Sequence, residues 1–373
     1  MKRLAAYFLI LCLLLGGCAP IDNTLQNTTE NNSSTTESTD DSTESTGDST
    51  ESTEEIVPPT EPPVLFRHPL TGEALDAPYI ARPTAVVVNN IKKCLPQHGI
   101  ADADMIYEIE TEGGITRLLA IFSDFDGVGK VGPIRSARTY FNNISTAYDS
   151  PLIHCGGSVN ALKGMYDDKN ALTKWVHINQ FSNGAYFYRD AERKKNGYAH
   201  EHTLFTTGEL LTQVLAKKKM NITYENGNEF GLQFADVPDL AGSRAFDITV
   251  TFRGKKTTDL TYSTVTGQYE ASQYGSNQID GNTGAIMTYR NVLVLQTEQW
   301  RIKEGSYTRS YYDLIGEGTG YFACDGKIVP IKWSRPSVKE HFAYTFEDGT
   351  PITLGVGKSY IGVIATTGKV EAQ

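Results

Sequence analysis

Hydrophobic and polar positions follow two different periods along this chain. Up to about residue 225, short apolar runs rich in β-branched residues, at 84–88, 105–110 and 115–122, predict buried strands. After Pro133 the apolar residues recur every three or four positions, which predicts a helix that begins there, and residues 151–155 return to a strand pattern. This mixture of strands and helices predicts an α/β domain over residues 64–225.

The last helix of this region has a recognisable start. Thr206 and Glu209 have the spacing of a capping box, in which each side chain binds a backbone N–H left free at the helix start. Apolar residues then recur with helical spacing, and residues 217–219 are lysines, which favour the negative end of a helix. An amphipathic helix is therefore predicted between these two signals.

Residues 226–373 show a period of two. Residues 246–252 alternate between apolar and polar, as in a strand with one buried face. Asp-Gly pairs at 325–326 and 348–349 stand between alternating runs, and this pair favours the tight turns of β-hairpins. The predicted fold class is thus an α/β N-terminal domain followed by a β-rich antiparallel C-terminal domain.

The first 18 residues have the pattern of a bacterial lipoprotein signal peptide. A basic start precedes an apolar run too short to span a membrane, and LGGC follows at residues 15–18. LGGC resembles a lipobox, whose cysteine receives a diacylglycerol and becomes the mature N-terminus. We expect a lipid anchor on Cys18 that holds the protein at the outer face of the cytoplasmic membrane. The alternative is an ordinary secretory signal with an incidental cysteine.

Residues 19–63 consist mainly of Ser, Thr, Asn, Asp, Glu and Pro. They contain eleven Asp and Glu and no Lys or Arg. Such a segment buries too little apolar surface to fold, so we predict a disordered tether. The formal net charge of −10 belongs to this tether, because the residues after it carry 33 acidic and 32 basic side chains. The folded part has no general basic character, so no nucleic-acid partner is expected.

Three cysteines follow the tether, namely Cys94, Cys155 and Cys324. The sequence leaves open whether Cys94 and Cys155 are bridged or all three are small buried hydrophobic residues. The chain contains no Cys-x-x-Cys pair and no His-Glu-x-x-His motif. No metal and no other cofactor is therefore expected.

Polar residues collect near the ends of the predicted strands of the first domain. TEGGITR at 111–117, VGPIRSAR at 131–138 and HCGGS at 154–158 supply a carboxylate, arginines and a glycine-rich loop. In open α/β sheets, ligand sites form where such loops meet helix N-termini. Guanidiniums beside free N–H groups favour a carboxylate, phosphate or sulfate. The candidate ligand-binding residues are Glu112, Arg117, Arg135, Ser136, Arg138, His154, Gly157, Ser158, Arg189 and His202.

A structural interpretation is the alternative. In it, Arg135 forms a buried ion pair with Glu112 or Asp190, Arg138 lies on the solvent face, and His154 is a hydrogen-bonded core histidine. The residue types alone do not separate the two interpretations, because structural ion pairs and binding sites use the same side chains.

An enzyme is not favoured, because no nucleophile and base are recognisable as a pair. Ser158 follows two glycines but does not fit the G-x-S-x-G pattern. Cys155 and His154 are neighbours on a predicted strand and therefore point to opposite faces. Glutamates at alternating positions from 108 to 112 share one face if the strand is regular, which leaves a carboxylate-based hydrolase as the catalytic alternative.

Several motifs together resemble the YerB-type lipoproteins, a family of Gram-positive envelope lipoproteins built of two consecutive domains of unknown function. In chain order they are RPTAVVVNN, EGGITRLLAIF, VGPIRSAR, HCGGS, FYRDAER, HTLFT, YRNVLVLQ, GEGTGYFACDGKIVPIKW and FEDGTPITLGVGKSYIGVI. The resemblance covers about residues 65–366. It implies an envelope lipoprotein with an α/β first domain and a β-rich second one, and it supplies no catalytic residues. The chain departs from the pattern at YAHE before His202, where a proline is expected, and at Cys155.

These observations favour a lipid-anchored envelope protein that binds an anionic group through Arg135 and Arg138. The partner would be a wall polymer or an envelope protein, with the β domain as a docking module. The alternative is an envelope hydrolase or transferase that acts on peptidoglycan-like material through Glu112 with His154 or His202.

Overall fold

The computed structural model describes residues 66–166 and 176–373, so the predicted signal peptide, its lipidated Cys18 and the tether lie outside the described residues. By its internal contacts the chain divides into Met1–Thr60 and Glu61–Gln373, and every described residue belongs to the second unit. None of the helices found in these two ranges has the length and apolar character needed to cross a membrane.

Strands predominate in the described residues, and eleven of them form one sheet, here called the long sheet. Its strands in spatial order are Ser243–Arg244, Lys327–Arg335, Gly316–Cys324, Asn291–Thr297, Ser359–Ala365, Met105–Glu110, Thr116–Phe122, Thr84–Asn90, Leu152–His154 and His177–Asn179, with Ala343–Thr345 paired to Lys327–Arg335. The three strands predicted at 84–88, 105–110 and 115–122 are neighbours here, and both faces of each are buried.

A second sheet of six strands belongs to the C-terminal half. Its strands are Ser276–Asn277, Gln268–Gln273, Thr257–Ser263, Asp247–Thr251 and Lys369–Ala372, with Thr288–Tyr289 paired to Gln268–Gln273. All its pairings are antiparallel, as predicted for this half. Parallel pairs also occur in this half: Asn291–Thr297 runs parallel to Ser359–Ala365 in the long sheet, and Phe234–Ala235 runs parallel to Leu354–Gly355. The Asp-Gly pair at 325–326 forms the predicted hairpin turn between Gly316–Cys324 and Lys327–Arg335.

The remaining elements are short. The smaller sheets are Lys130–Val131 with Leu204–Thr207 and Tyr188–Arg189, Phe66–Arg67 with Ala74–Leu75, Phe234–Ala235 with Leu354–Gly355, and Gln299–Glu304 with Tyr307–Tyr312. The α-helices of the described residues are α1 (Thr139–Ala147), α2 (Val159–Tyr166), α3 (Ala191–Lys195) and α4 (Gly208–Lys217). Single 3-10 turns are Lys92–Cys94, Glu112–Gly114, Gln180–Ser182, Gly184–Tyr186 and His200–His202.

The two faces of the long sheet carry two hydrophobic cores. Val87 and Leu119 point to one face, where they pack with Tyr140 and Phe141 of α1. The alternate residues, such as Val88, Ile106 and Leu118, point to the other face and pack with Leu211 of α4 and with Ile248 and Leu260 of the six-stranded sheet. Strands buried on both faces are mostly apolar at successive positions, which explains the short apolar runs in the sequence.

The helix predicted to begin at Pro133 begins at Thr139 instead, so that prediction is wrong. Residues 131–138 are extended, because their backbone groups bind neighbouring strands rather than one another. The N–H of Arg135, for example, donates to the carbonyl of Val87 at 2.9 Å. Hydrogen bonds to distant segments outweighed a local pattern that favoured a helix.

The capping residue of α4 was misplaced by one position. Thr207, not Thr206, accepts the N–H of Leu210 at 3.2 Å, while the Thr206 hydroxyl donates to the carbonyl of Tyr186. Thr206 belongs to the strand Leu204–Thr207, so its side chain is directed by sheet pairing. The helix itself is present as predicted.

Cys94, Cys155 and Cys324 are free thiols. Cys94 and Cys324 are buried, and burial raises the pKa of each thiol to about 12. They are therefore neutral, unreactive core residues at physiological pH.

Candidate functional site

The segment VGPIRSAR, residues 131–138, is held between two neighbours by backbone hydrogen bonds. Arg135 binds Val87 on one side, and Ala137 donates its N–H to the carbonyl of Gly156 at 3.0 Å on the other. The segment therefore connects the end of a central strand to the glycine-rich loop before α2. The arginines of this segment project from an extended chain rather than from the first turn of a helix.

Glu112 forms a two-pronged ion pair with Arg138. Nε and Nη2 of Arg138 donate to the two oxygens of Glu112 at 2.8 and 2.6 Å, and Nη1 of Arg309 lies 3.3 Å from the same carboxylate. Burial by itself raises the pKa of Glu112, but the hydrogen bonds and charge of Arg138 outweigh it and lower the pKa to about 2. Glu112 is therefore a fixed carboxylate at neutral pH, which does not suit a general acid or base.

Arg117 is a buried guanidinium with few hydrogen bonds. It stands on the strand Thr116–Phe122, is 4% exposed, and donates from Nη1 to the carbonyl of Ser136 at 2.6 Å. Its Nε is buried without an acceptor, and no carboxylate among residues 66–166 and 176–373 lies within ion-pair distance. Burial, then the charges of Arg138 and Arg135, lower the pKa of Arg117 to about 9, so it stays protonated at neutral pH.

Four arginines meet here, and together they are called the arginine cluster: Arg117, Arg135, Arg138 and Arg309. Nη1 of Arg135 lies 3.6 Å from a carboxylate oxygen of Glu201, whose side chain is 56% exposed. The Nε atoms of Arg135 and Arg309 are also buried without an acceptor. In the described part of the chain, two carboxylates, Glu112 and Glu201, therefore pair with three of the four arginines, and Arg117 pairs with none, which leaves an excess of positive charge.

The N-terminus of α2 is occupied by a carboxylate of the protein itself. Glu304 accepts the N–H groups of Val159 at 2.8 Å and Asn160 at 3.4 Å, and the hydroxyl of Tyr311 donates to the same carboxylate. Asn160 also donates from its side chain to the Tyr311 hydroxyl at 2.6 Å. The N–H groups at the start of α2 are thus bound by a carboxylate of the protein itself and are not free for an external anion.

The loop residues themselves have structural contacts. The Ser158 hydroxyl accepts the N–H of Ala161 at 3.3 Å and so caps α2, and Gly157 forms a backbone bridge with Ala137. Ser136 contributes its carbonyl to Arg117. These residues fix the backbone segments that surround the arginine cluster.

His154 is fully buried and bonded at both ring nitrogens. Its Nδ1 lies 2.7 Å from the carbonyl of Gly156, and its Nε2 lies 3.1 Å from Nδ1 of His177. Because a carbonyl only accepts, Nδ1 of His154 carries the proton and Nε2 accepts from His177. Burial lowers the pKa of His154 to about 3 and that of His177 to about 4, so both rings are neutral at pH 7.

His202 is linked to the arginine cluster by Glu201, which lies near both His202 and Arg135. Nε2 of His202 is 3.7 Å from the Glu201 carboxylate that also pairs with Arg135, and Nδ1 accepts from the amide of Asn89 at 3.0 Å. Arg189 donates to the carbonyl of His200 at 2.6 Å and so fixes the same turn. Within the described residues, no three His, Cys, Asp or Glu side chains are placed to hold a metal ion.

The three glutamates at alternating positions do not form a catalytic pair. Glu108 is buried in an ion pair with Lys256, and the backbone N–H of Gly254 donates to Glu110 at 2.5 Å. Glu112 follows the end of the strand, in the turn Glu112–Gly114, and points to Arg138 instead. The geometry therefore does not favour the carboxylate-based hydrolase.

Sequence reasoning missed two residues that shape this site, Arg309 and Glu304. Both lie on the hairpin formed by Gln299–Glu304 and Tyr307–Tyr312, far along the chain from the other members. The available signal was the presence of charged residues on both strands of a short hairpin, but sequence does not show what such a hairpin packs against.

Comparison with known proteins identifies the family of this chain. The N-terminal domain model described as a protein of unknown function (DUF3048) matches residues 70–221, and the corresponding C-terminal domain model matches residues 248–361. The chain is 27% identical over 300 residues to "Putative lipoprotein YerB" of Bacillus subtilis (strain 168), covering 79% of this chain and 85% of the relative. A crystal structure of the Bacillus subtilis YerB protein superposes with a TM-score of 0.69 at 26% identity, over 82% of this chain and 99% of that one. The resemblance drawn from the sequence motifs is thereby confirmed, and the chain belongs to the two-domain DUF3048 family that includes YerB.

Proposed function

We propose that this protein is a lipoprotein of the cell envelope that binds an anionic group of an extracytoplasmic partner at the arginine cluster. The observation that carries the binding proposal is the buried, protonated Arg117, which has an unused Nε donor and no carboxylate at ion-pair distance among the described residues. A buried charge without a counter-ion costs free energy. A bound carboxylate or phosphate supplies that counter-ion and accepts the free donors of the cluster.

The N-terminal sequence and the relative support the proposed anchor and location. The lipobox at residues 15–18 and the printed name of the Bacillus subtilis relative both support a lipid on Cys18. A chain anchored in this way carries its folded part at the outer face of the cytoplasmic membrane, at the end of an acidic tether. An anionic wall polymer or envelope protein is a suitable partner there.

The two halves contribute differently to the site. We interpret the first half, which holds α1 to α4, as an α/β unit that supplies Arg117, Arg135 and Arg138. The second half is the β unit that closes the cluster with Arg309.

The test measures binding of short-chain polyphosphate to the full-length protein, purified in a detergent without sugar groups. Arg117→Met keeps the apolar stem of the side chain and removes its charge, and we expect at least tenfold weaker binding. The control is Arg244→Met, which removes a cation on an edge strand of the long sheet, away from the cluster, and should leave binding unchanged. Equal affinity for wild type and Arg117→Met would reject the cluster as an anion site.

Thermal unfolding separates binding from a structural role. Arg335 is also buried but donates four hydrogen bonds, to Glu340, Asn143, Thr146 and Val338. Arg335→Met should lower the Tm by several degrees, because it leaves buried acceptors unpaired. Arg117→Met should leave the Tm unchanged or raise it. A similar loss of Tm in both variants would support the structural interpretation of Arg117.

A further inference from the structure

We propose that the anionic ligand of the arginine cluster is a glycan that carries carboxylate or phosphate groups, and that Trp300 is the surface on which one of its sugar rings stacks. This inference rests on the proposed function and specifies its ligand class. It comes from the hairpin formed by Gln299–Glu304 and Tyr307–Tyr312, which borders the cluster.

One face of this hairpin combines aromatic, apolar and cationic side chains. Directly opposed residues of an antiparallel pair point to the same face, and the pairs are Trp300 with Tyr311, Ile302 with Arg309 and Glu304 with Tyr307. Glu304 and Arg309 on this face contact α2 and Glu112, respectively. The face is therefore turned toward the glycine-rich loop and the arginine cluster.

Three apolar side chains on or beside this face are exposed. Trp300 is 44% exposed, Tyr307 62% and Val159, the first residue of α2, 66%. Val159 is adjacent to Tyr307, because its N–H binds Glu304, which is paired with Tyr307. Trp300 lies four positions from Glu304 along the same face, so the exposed apolar side chains lie at both ends of this face. Exposed apolar side chains grouped on one face mark interaction sites.

Trp300 is held rigidly enough to act as a platform. Its ring stacks on Tyr311 with centroids 6.0 Å apart and an interplanar angle of 19°. The hydroxyl of Tyr311 is fixed in turn by Glu304 and Asn160. An indole already ordered by its neighbours loses little entropy on binding. Its electron-rich face attracts the C–H bonds on the flat side of a sugar ring.

Trp300 lies close to the cations of the arginine cluster. Trp300 and Arg309 are diagonal neighbours on the hairpin, a relation that separates two residues by about 7–8 Å. Arg309 in turn lies against Glu112 within the cluster. A charged group held by the arginines and a ring stacked on Trp300 therefore belong to the same or adjacent units of one ligand.

The recessed position of Arg117 favours a projecting charged group over a flat surface. Arg117 is 4% exposed, so a flat surface does not reach it, and a ligand would have to present its charge on a narrow substituent, such as a carboxylate or phosphate on a flexible chain. The headgroups of a lipid bilayer form a plane that contacts exposed cations, such as Arg301 and Lys303, more readily than buried ones. An acidic peptide supplies the charge but no ring of the kind that stacks on Trp300.

The experiment compares three probes on the full-length protein in a detergent without sugar groups. Oligogalacturonate has carboxylates and sugar rings, oligoglutamate of equal charge has carboxylates alone, and maltohexaose has rings alone. We expect oligogalacturonate to bind at least tenfold more tightly than either of the others. Trp300→Ala should weaken oligogalacturonate binding about tenfold and leave oligoglutamate binding unchanged, and Trp300→Phe should restore part of the loss.

The outcomes separate the glycan proposal from the proposed function on which it rests. If Arg117→Met weakens oligoglutamate and oligogalacturonate equally but Trp300→Ala affects neither, the anion site stands and the glycan proposal is overturned. If oligoglutamate binds as tightly as oligogalacturonate, the partner is an acidic peptide instead. Retention on phosphatidylglycerol vesicles without affinity for oligogalacturonate assigns the face to a membrane and also overturns the proposal. Binding of all three probes that is insensitive to Arg117→Met overturns the proposed function itself.

Discussion

Arg335 and Arg117 are both buried guanidiniums, but their surroundings differ. Arg335 donates to four oxygen acceptors and is satisfied, whereas Arg117 donates to the carbonyl of Ser136 and keeps a buried Nε without an acceptor. Native proteins seldom leave buried donors unpaired, so the Nε of Arg117 requires an explanation, such as strain, an ordered water or a bound ion. Burial alone does not distinguish these two arginines, but the inventory of their hydrogen bonds does.

A second prediction for a single residue concerns His154 and the way the free energy of unfolding depends on pH. Its pKa is about 3 in the folded protein and near 6.5 when exposed, because burial disfavours the charged ring. The unfolded state therefore takes up a proton first as the pH falls below 6.5, and stability is lost from there down to about pH 3. Between pH 7 and pH 5 this residue alone should reduce the free energy of unfolding by about 2 kcal/mol.

Urea unfolding at pH 7, 6 and 5 measures this effect. His154→Gln removes the titrating ring, so its stability should fall less steeply over this range than that of the wild type. His200→Gln, a change at an exposed histidine, is the control and should follow the wild type. Parallel pH profiles for wild type and His154→Gln would contradict the prediction.

Elements whose pattern depends only on near neighbours were predictable from the sequence. The strands at 84–90, 105–110 and 116–122 were found because both of their faces are buried, which makes most successive positions apolar. The helix predicted at Pro133 was wrong, because the backbone of Arg135 and Ala137 binds partners that lie distant in the sequence. A periodic pattern shows which residues are apolar but not which strand their backbone meets.

The candidate site was predictable only in part for the same reason. Glu112, Arg117, Arg135 and Arg138 were identified because they lie near the ends of adjacent segments of one half. Glu304 was not, since 145 residues separate it from Val159, whose N–H it binds. Long-range contacts of this kind determine how many cations the cluster contains. They also determine which carboxylate binds the N-terminus of α2.

The contact between Glu304 and α2 predicts that the hairpin and the helix stabilise each other. Glu304→Ala removes the acceptor of two N–H groups at the helix start and should cost about 1–2 kcal/mol of unfolding free energy. Hydrogen exchange at Val159 and Asn160 should become faster. Lys303→Ala, at the neighbouring exposed position, is the control. Unchanged protection at Val159 in Glu304→Ala would show that the hairpin does not hold the helix.

For the whole molecule, the buried carboxylate of Glu108 ties the two halves together. It pairs with Lys256 and accepts hydrogen bonds from side chains of both halves, namely Asn90, Thr116, Thr258 and Tyr360. Burial by itself raises the pKa of Glu108, but Lys256 and the hydroxyl donors outweigh it and hold the pKa below its usual value. The pair is therefore ionised, and each half neutralises a charge of the other.

Removing one partner should destabilise the entire described unit. Lys256→Met leaves the Glu108 carboxylate buried without its cation, a change that typically costs about 3–5 kcal/mol. The double variant Glu108→Gln/Lys256→Met should recover part of the loss, while Lys255→Met, at the exposed neighbour, should change little. Unfolding by guanidinium chloride measures all three. A double variant that is less stable than Lys256→Met would contradict this account.

The strand Ser359–Ala365 lies between Asn291–Thr297 and Met105–Glu110 in the middle of the long sheet. Residues 111–358 separate it in the chain from Met105–Glu110. The free edge of Met105–Glu110 therefore waits for a partner from the other half of the chain, and such a long-range pairing forms slowly. The first half cannot complete the middle of the long sheet by itself, so both halves must be present before the sheet closes.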